Sequence, residues 1–379
     1  MDDRARFVLE AELSDLPFAE LCRRHHISRP TGYKWIERFR SDGMTGLHDR
    51  AHRTHSCPHA TPPAVVDRIL TLRQRRGWGA RKLARIVEAE FGHRPAPDTV
   101  HRILQRHGLV VTRKPKRRRT HPGPPDTSMD RPNAVWTADF KGQFRTLDGE
   151  LCYPLTIQDG FSRFILEIHG HKRIASRAVR RRFTRVFREH GIPDRIRTDN
   201  GQPFASHALG RLCQLSVWWI QLGIRPEQIE PGKPQQNGRH ERMHRTLKAM
   251  TARPPRRNLR TQQRCFDDFR RVFNSERPHE ALDLETPVSR YQPSERPFPE
   301  RLVGPDYPDH FEVRRVSQIG SMRWRNQWVC VSHLLGGEYV GLEEVGDGVW
   351  ATFYGPVQLG WLDERDFRIM DVRGQRRRR

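Results

Sequence analysis

An alternation of strands and helices begins at Val135-Trp-Thr-Ala-Asp-Phe-Lys-Gly-Gln-Phe144, a stretch whose composition predicts a β-strand. Asp-Gly pairs at 148–149 and 159–160 signal hairpin turns after it. The segments predicted to follow are strands at Leu151–Gln158 and Arg163–His169, a helix over about 176–190, a strand at Arg195–Thr198, a helix over about 206–222, a strand at Gln228–Glu230 and a helix from near Asn237. This order predicts an α/β domain with a mixed sheet over residues 132–295.

Three acidic residues of this domain occupy positions suited to a shared site. Asp139 lies on the first predicted strand, Asp199 ends the fourth, and Glu241 lies on the helix after the last strand. Neighbouring strands of an open sheet can bring carboxylates together, and a helix packed across the sheet can add a third. Carboxylate oxygens are the ligands that Mg²⁺ prefers, and two such ions can activate an attacking oxygen and stabilise a leaving one. The alternative is that each acid is an ordinary solvated surface residue.

The sequence around each acid is distinctive. The three blocks are Trp136-Thr-Ala-Asp139-Phe, Arg197-Thr-Asp199-Asn-Gly-Gln-Pro-Phe and Pro234-Gln-Gln-Asn-Gly-Arg-His-Glu241-Arg. Together and in this order they resemble the catalytic core of DDE transposases and retroviral-type integrases, and most closely that of insertion-sequence transposases. The resemblance covers about 130–295 and includes Asn274-Ser-Glu-Arg-Pro-His-Glu-Ala-Leu282 and Thr286-Pro287. One departure is the spacing, because 41 residues separate Asp199 from Glu241, several more than the family commonly has.

This resemblance implies a fold, an activity and a cofactor. It implies an RNase H-like fold for residues 132–295, with Asp139, Asp199 and Glu241 as catalytic residues and metal ligands. The implied cofactor is Mg²⁺, two ions per active site, with Mn²⁺ as a substitute. The implied reaction is metal-dependent DNA cleavage at the ends of a mobile element, followed by joining of the 3′-OH ends to target DNA.

The helix that carries Glu241 also offers groups suited to DNA phosphates. Asn237, Arg245 and Lys248 lie at −4, +4 and +7 from Glu241, so helical geometry places them on the same face. We expect this face to contact DNA, and the alternative is a solvated helix face. Asp159 is acidic and near the core, but its position in an Asp-Gly turn is a sufficient structural explanation.

Residues 1–60 predict a helix-turn-helix DNA-binding domain. Ser28 is a suitable N-cap and Pro30 fits the first turn of the second helix. That helix is expected to place Tyr33, Ile36 and Phe39 near one side. The basic residues Arg29, Lys34 and Arg38 of the same helix are expected to face solvent, where they can contact DNA. The alternative is an ordinary helical hairpin.

Residues 61–110 predict a second trihelical DNA-binding domain. Gly92 is expected to end its middle helix, and Pro95 and Pro97 are expected to precede its third. Arg102 and Arg106 are four residues apart on that third helix and therefore share a face. Two such modules in tandem could recognise a longer DNA site than either alone.

The remaining regions predict a linker, a small β-domain and a tail. Residues 111–131 form a basic linker that contains Arg113-Lys-Pro-Lys-Arg-Arg-Arg119, a run that also weakly resembles a nuclear-localisation signal. His52, His55, Cys57 and His59 could hold zinc, but their tight spacing favours a His-rich linker. Residues 305–370 predict five short strands, one of them at Trp324–Val331, in a small barrel, which the resemblance identifies as SH3-like. Residues 371–379 form a basic tail.

Composition limits the classes of function. The chain has 379 residues and a formal net charge of +24, which favours a polyanionic partner. No apolar run is long enough to span a bilayer, and six scattered cysteines favour a reducing compartment. We expect a cytoplasmic, nucleoid-associated bacterial protein that binds double-stranded DNA and self-associates to hold two element ends. The alternatives are a non-catalytic DNA-binding regulator that kept a transposase body and an RNase H-like repair nuclease.

Overall fold

The structure is a computed structural model that describes residues 2–49, 60–110, 128–206, 208–230 and 238–372. The His-rich segment at 52–59, the basic run at 113–119, Asn237 and the end of the basic tail lie outside these ranges. The chain divides into two compact units, Met1–Pro62 and Pro63–Arg379. No helix in the described ranges is long and apolar enough to cross a membrane.

The first unit is a small helical bundle. It contains α1 (Asp2–Leu13), α2 (Phe18–Arg24), α3 (Arg29–Asp42) and a 3-10 turn at Gly43–Leu47. Ser28 caps α3 as predicted, because its Oγ accepts a hydrogen bond from the Thr31 N–H at 3.3 Å. The side chains at its centre are Phe7, Val8, Leu21, Cys22 and Leu47.

The face of α3 that packs inward differs from the prediction for Tyr33. Tyr33 is 60% exposed and stacks on Phe18 with ring centroids 4.2 Å apart. Trp35 packs inward instead, 5.8 Å from the Phe7 ring, together with Ile36 and Phe39. The cause is Gly32, where a Cβ atom would lie 2.8 Å from the Phe7 ring, so this side of the helix makes the close approach.

The second unit begins with the predicted trihelical module. Its helices are α4 (Pro63–Arg76), α5 (Ala80–Phe91) and α6 (Pro97–Arg106). Gly92 ends α5 in the left-handed conformation with φ of 70°, as expected for a glycine C-cap. The apolar centre contains Ile69, Leu83 and Val100, and Val272 from a later helix completes it. The module is therefore packed against the region that follows it.

A mixed sheet of six strands forms the centre of the second unit. The strands are β1 (Val135–Phe140), β2 (Phe144–Arg145), β3 (Leu151–Asp159), β4 (Ile165–His171), β5 (Arg195–Thr198) and β6 (Arg225–Gln228). The order is β2-β3-β1-β5-β6, and β4 also pairs with β3. β1, β5 and β6 are parallel, whereas β3 is antiparallel to β1 and β4. The predicted mixed sheet is confirmed.

Five helices accompany the sheet within the described residues. They are α7 (Ser176–His190), α8 (Gln214–Gln221), α9 (Gly238–Thr251), α10 (Leu259–Ser275) and α11 (Pro287–Arg290). The predicted helix over about 176–190 is α7, and its apolar stripe of Val179, Phe183, Val186 and Phe187 is buried. It packs on the sheet with Trp136, Trp218 and Trp219.

Two predicted boundaries in this region were wrong. The helix expected over 206–222 is a 3-10 turn at Leu209–Arg211 followed by α8, because Gly210 adopts a φ of 60° that interrupts the helix. The strand expected at 228–230 is β6 at Arg225–Gln228, where Arg225 pairs in register with Arg195 of β5.

The C-terminal region contains seven strands rather than five. They are β7 (Glu312–Arg315), β8 (Ser321–Trp324), β9 (Gln327–Cys330), β10 (Tyr339–Gly346), β11 (Val349–Tyr354), β12 (Val357–Asp363) and β13 (Arg368–Met370). The strand expected at 324–331 is divided by a turn in which Arg325 has a φ of 50°. Five strands form an antiparallel sheet in the order β13-β12-β11-β10-β7, and β8 and β9 form a hairpin. β7 and β13 are the two edges of this sheet, and their described residues do not pair with each other. The sheet is therefore not closed into the expected barrel.

The segment between β5 and α9 supports the C-terminal strands. Leu209, Leu212, Val217 and Ile220 belong to one apolar cluster with residues of that sheet such as Leu359. Much of the long stretch between Asp199 and Glu241 therefore builds a packing surface for the C-terminal region.

Candidate active site

Strand register brings Asp139 and Asp199 to the same edge of the sheet. β1 and β5 are parallel neighbours, and their last registered pair is Ala138 with Thr198. Asp139 is the next residue of β1 and Asp199 is the residue that follows the end of β5, so both come directly after that pair. The carboxyl ends of parallel strands meet at one sheet edge, where ligand sites in open sheets form.

Asp139 lies in a strongly acidic environment. Its side chain is 19% exposed, and burial raises its pKa to about 7. The negative charge of Asp199 also raises this pKa, and that of Glu241 does so to a smaller extent, whereas the Phe140 N–H and Lys141 lower it. The negative charges of Asp199 and Glu241 therefore both reach Asp139 at this edge.

The Asp-Asn-Gly sequence holds Asp199 in a defined loop. The Gly201 N–H donates to Asp199 Oδ1 at 3.1 Å, and a Cβ atom at Gly201 would lie 3.0 Å from Asp199 Oδ2. Asn200 donates to the Ile229 carbonyl at 2.8 Å and accepts from Arg211 at 3.0 Å. The asparagine thus ties the loop to the chain after β6, and the glycine leaves room for the carboxylate.

Glu241 lies in the first turn of α9 and is exposed. The opposite face of α9 is buried against the sheet and contains His240, Met243, His244 and Leu247. This packing explains why the Glu241 side of the helix is directed away from the core, next to the edge that holds Asp139.

Two buried histidines, which sequence reasoning missed, lie behind Asp139. His240 contacts Thr137 Oγ1 through Nδ1 at 2.7 Å and Thr156 Oγ1 through Nε2 at 2.6 Å. His244 Nε2 contacts the same Thr156 Oγ1 at 2.6 Å, and His244 Nδ1 lies 3.5 Å from Asp139 Oδ2. The available signal was the i, i+4 spacing of the two histidines on either side of Glu241.

Hydrogen-bond accounting assigns roles within this network. Thr156 Oγ1 has one hydrogen and lies 3.0 Å from the Asp139 carbonyl and 2.6 Å from both histidine Nε2 atoms, so at least one of the two histidines donates its Nε2–H to Thr156. Burial lowers the pKa of His240 to about 3 and lowers that of His244 further, so both rings are neutral at neutral pH. The network connects α9 to β1 and β3 and fixes the backbone at Asp139.

The carboxylates suit a hard cation better than the histidines do. Asp139, His240 and His244 offer ligand atoms within 4.8 Å of one another. Both ring nitrogens of His240 already have hydroxyl partners, and His244 Nε2 has one. A buried carboxylate whose pKa is raised by two neighbouring acids is the group that a divalent cation stabilises most. The donor chemistry at this edge therefore fits Mg²⁺.

The other glutamates near β6 have different surroundings. Glu227 Oε1 accepts from Arg197 Nη2 at 2.6 Å and from Nε at 3.0 Å, and Arg197 is 1% exposed. This ion pair fixes β5 to β6 below the site. Glu230 directly precedes the undescribed residues 231–237.

The predicted DNA-binding residues fall into separate groups. Arg245 and Lys248 are exposed on α9 with Glu241, and Lys248 lines a small cleft with Lys141. Arg102 and Arg106 are exposed on α6. In the first unit, Arg29 and Lys34 are exposed and Arg38 is half-buried on α3. Asn237 lies outside the described residues.

Comparison with protein families agrees with this architecture. Two integrase core domain models match residues 129–234 and 222–287. Residues 129–287 are therefore similar to integrase core domains. A helix-turn-helix domain model matches residues 3–54, and a homeodomain-like domain model matches residues 31–104. The resemblance to insertion-sequence transposases with an integrase-type core is thereby confirmed.

Relatives of this chain occur in bacterial insertion elements and among viral Gag-Pol polyproteins. The chain is 28% identical over 255 residues to the insertion element IS407 31.7 kDa protein of Burkholderia multivorans, covering 66% of this chain and 89% of the relative. It is 27% identical to the IS476 39.2 kDa protein of Xanthomonas euvesicatoria, covering 70% and 75%. It is 32% identical over 125 residues to the Gag-Pol polyprotein of avian reticuloendotheliosis virus, covering 32% of this chain and 10% of the polyprotein.

Two solved structures are similar at low TM-scores. One is the simian T-cell lymphotropic virus intasome in complex with PP2A regulatory subunit B56 gamma, with TM-score 0.39, 16% identity, and coverage of 76% of this chain and 97% of that one. The other is the HTLV-2 integrase catalytic core domain in complex with magnesium, with TM-score 0.34, 17% identity, and coverage of 43% and 98%.

Proposed function

We propose that this protein is a transposase that cleaves DNA at the ends of a mobile element and joins the freed 3′-hydroxyl groups to target DNA. The observation that carries the proposal is the strand register that places Asp139 and Asp199 side by side, with the charge of Glu241 acting on Asp139. The integrase core and the helix-turn-helix matches support the same class of polynucleotidyl transferase.

Each part of the core has a task in this proposal. Asp139, Asp199 and Glu241 would hold the divalent cations, two per site. Bound Mg²⁺ or Mn²⁺ would supply charge stabilisation for the attacking and leaving oxygens of a phosphodiester. The neutral His240 and His244 hold the backbone at Asp139 through Thr156. Asn237, Arg245 and Lys248 would bind the phosphates beside the cleavage point.

The regions outside the core would position DNA. The helical modules at 1–60 and 61–110 would recognise the terminal inverted repeats, through Arg29, Lys34 and Arg38 in the first and Arg102 and Arg106 in the second. The linker at 111–131, the C-terminal strands at 305–370 as an SH3-like DNA-binding domain, and the tail at 371–379 would add phosphate contacts that do not depend on sequence. Because two element ends must be held together, the working form would be a dimer or a larger assembly in the bacterial cytoplasm, associated with the nucleoid.

The test uses the DNA that flanks this gene. Purified full-length protein is incubated with Mg²⁺ and duplexes that carry the flanking sequences from each side, and nicked and joined products are separated on denaturing gels. We expect cleavage at a defined position, abolished by EDTA and by Asp199→Asn. Specific binding without cleavage would identify the protein as a DNA-binding regulator. Cleavage with no preference for flanking over random duplex would favour a repair-type nuclease.

A further inference from the structure

A group of basic side chains meets on a flank of α9 that does not carry Glu241. The residues are Lys82 from α5, Arg163 from the turn before β4, Arg242 from α9, and Arg277 and His279 from the segment after α10; we call them the junction cluster. Arg242 follows Glu241 directly and is therefore rotated by about 100° around the helix from it. Burial, together with the charges of Arg277, Lys82, Arg163 and Arg242, lowers the pKa of His279 to about 3, so this ring is the neutral member of the group.

Packing between α10 and the second helical module assembles the junction cluster. Val272 of α10 lies in the same apolar core as Leu83, the neighbour of Lys82. Arg76 of α4 pairs with Glu276 at 2.6 Å, next to Arg277. The Arg277 Cζ atom lies 5.4 Å from the centroid of the Phe273 ring, and the centroids of the Phe273 and His279 rings are 4.6 Å apart. The basic groups are therefore held in place by well-packed elements.

Several donors in the junction cluster have no partner among the described residues. Arg277 Nε and His279 Nε2 are buried without a hydrogen bond. Lys82 and the Arg242 guanidinium make no ion pair with any described acid. A half-buried arginine nearby does have a carboxylate partner, because Arg76, whose side chain is 29% exposed, pairs with Glu276 at 2.6 Å.

The electrostatics of the junction cluster are unfavourable when no anion is bound. Burial, together with the charges of Arg277 and Arg242, lowers the pKa of Lys82 to about 8. Burial and the charges of Arg239 and Arg242 lower that of Arg163 to about 10. Glu280 is the acid that opposes the shift at Lys82, and it also acts on Arg277. Burying several cations close together costs stability through desolvation and mutual repulsion. A bound polyanion offsets that cost and therefore stabilises the folded protein.

We propose that the junction cluster is a second phosphate-binding site that holds the backbone of duplex DNA on the flank of α9 away from Glu241. The proposal rests on the proposed function, because it gives the same DNA a second contact surface. Duplex DNA fits better than a small anion for two reasons. The cations come from four separate elements, and Arg242 connects them to the helix that carries the catalytic carboxylate. Held at this site, DNA would also be fixed relative to the second helical module that carries Lys82.

The test compares DNA binding and thermal stability in the full-length chain. Affinity for a random-sequence duplex is measured in EDTA at several salt concentrations for wild type, Lys82→Met and Lys82→Arg. Lys172→Met is the matched control, because Lys172 is 68% exposed, paired with Glu150 at 3.2 Å, and carries the same charge. We expect Lys82→Met to lower the slope of log affinity against log salt by about 1, as the loss of one phosphate contact does. Lys82→Arg and Lys172→Met should keep the wild-type slope.

Stability separates a binding role from a structural one. Removing a desolvated, repelled cation should leave the Tm of Lys82→Met equal to or above that of wild type, whereas a residue needed for packing would lower it. An unchanged slope or a lowered Tm for Lys82→Met overturns the proposal. Stabilisation of wild type by inorganic phosphate, with no change in duplex affinity for Lys82→Met, would indicate a small-anion site and also overturn it. If the wild-type chain does not bind duplex DNA at all, the proposed function itself fails.

Discussion

Replacing Asp139 with asparagine is expected to stabilise the metal-free protein at neutral and alkaline pH. The folded protein holds the pKa of this carboxyl at about 7, whereas the ordinary value is 3.8. The unfolded chain therefore loses the proton near pH 4 and the folded chain near pH 7. Stability of the wild type falls as pH rises through this window and is level above it. Asparagine has no charge to lose, so the variant avoids this decline.

The size of the effect follows from the two pKa values. A rise from 3.8 to about 7 corresponds to about 4 kcal/mol of destabilisation by the ionised carboxylate, as an upper figure. The difference in unfolding free energy between Asp139→Asn and wild type should grow from near zero at about pH 4 to a few kcal/mol above about pH 7. Mg²⁺ should then stabilise the wild type strongly and the variant much less.

Urea denaturation in EDTA, followed by the fluorescence of the buried tryptophans, measures this difference across pH. Asp159→Asn is the comparison, because burial raises the pKa of Asp159 as well, but its carboxylate accepts opposing hydrogen bonds from the Asn133 N–H and from the N–H and Oγ of Ser162. That variant should lose about 1–3 kcal/mol, since those donors need a carboxylate. A stability difference for Asp139→Asn that does not change with pH, or a loss of stability at every pH, would refute the electrostatic account of the site.

Three further predictions concern DNA contact, recognition and the support of Asp139. Arg245→Ala and Lys248→Ala should fold normally and weaken strand transfer and crosslinking to the terminal phosphate; wild-type levels in both variants would contradict a DNA-contacting face. Deleting the separate unit Met1–Pro62 should reduce discrimination between end DNA and random DNA while salt-sensitive binding remains. If the truncated protein still prefers end DNA to the wild-type degree in competition binding, this unit does not carry the recognition. Thr156→Val should cost about 1–3 kcal/mol in urea denaturation because the buried Nε2 atoms of His240 and His244 lose their hydrogen-bond partner, with rescue by Thr156→Ser; no loss of stability would show that the network does not support the site.

Local patterns predicted the parts of the fold that depend on local sequence. The α7 stripe at Val179, Phe183, Val186 and Phe187 follows helical periodicity, and every member is buried. Ser28 and Gly92 predicted helix ends because capping depends on a few neighbouring residues. Asp139 and Asp199 were placed from strand order, and the observed register puts them directly after a paired position.

The features that the sequence did not indicate depend on tertiary packing. Trp35 rather than Tyr33 packs inward because Gly32 admits a ring from another helix. His240 and His244 gain their roles only when α9 is packed against β1 and β3. Positive φ values at Gly210 and Arg325 divide a predicted helix and a predicted strand, and no turn pair such as Asn-Gly or Asp-Gly marks either position.

The most direct test of the central claim is a paired comparison of Glu241→Gln and Glu230→Gln in the cleavage and joining assay on gene-flanking DNA. Glutamine keeps the size of the side chain and removes the charge that would hold a divalent cation. We predict that Glu241→Gln folds, binds the flanking DNA as wild type does, and loses both cleavage and joining with Mg²⁺ or Mn²⁺, whereas Glu230→Gln remains active. An inactive Glu230→Gln together with a Glu241→Gln that still cleaves would contradict the assignment of Glu241 to the site of Asp139 and Asp199.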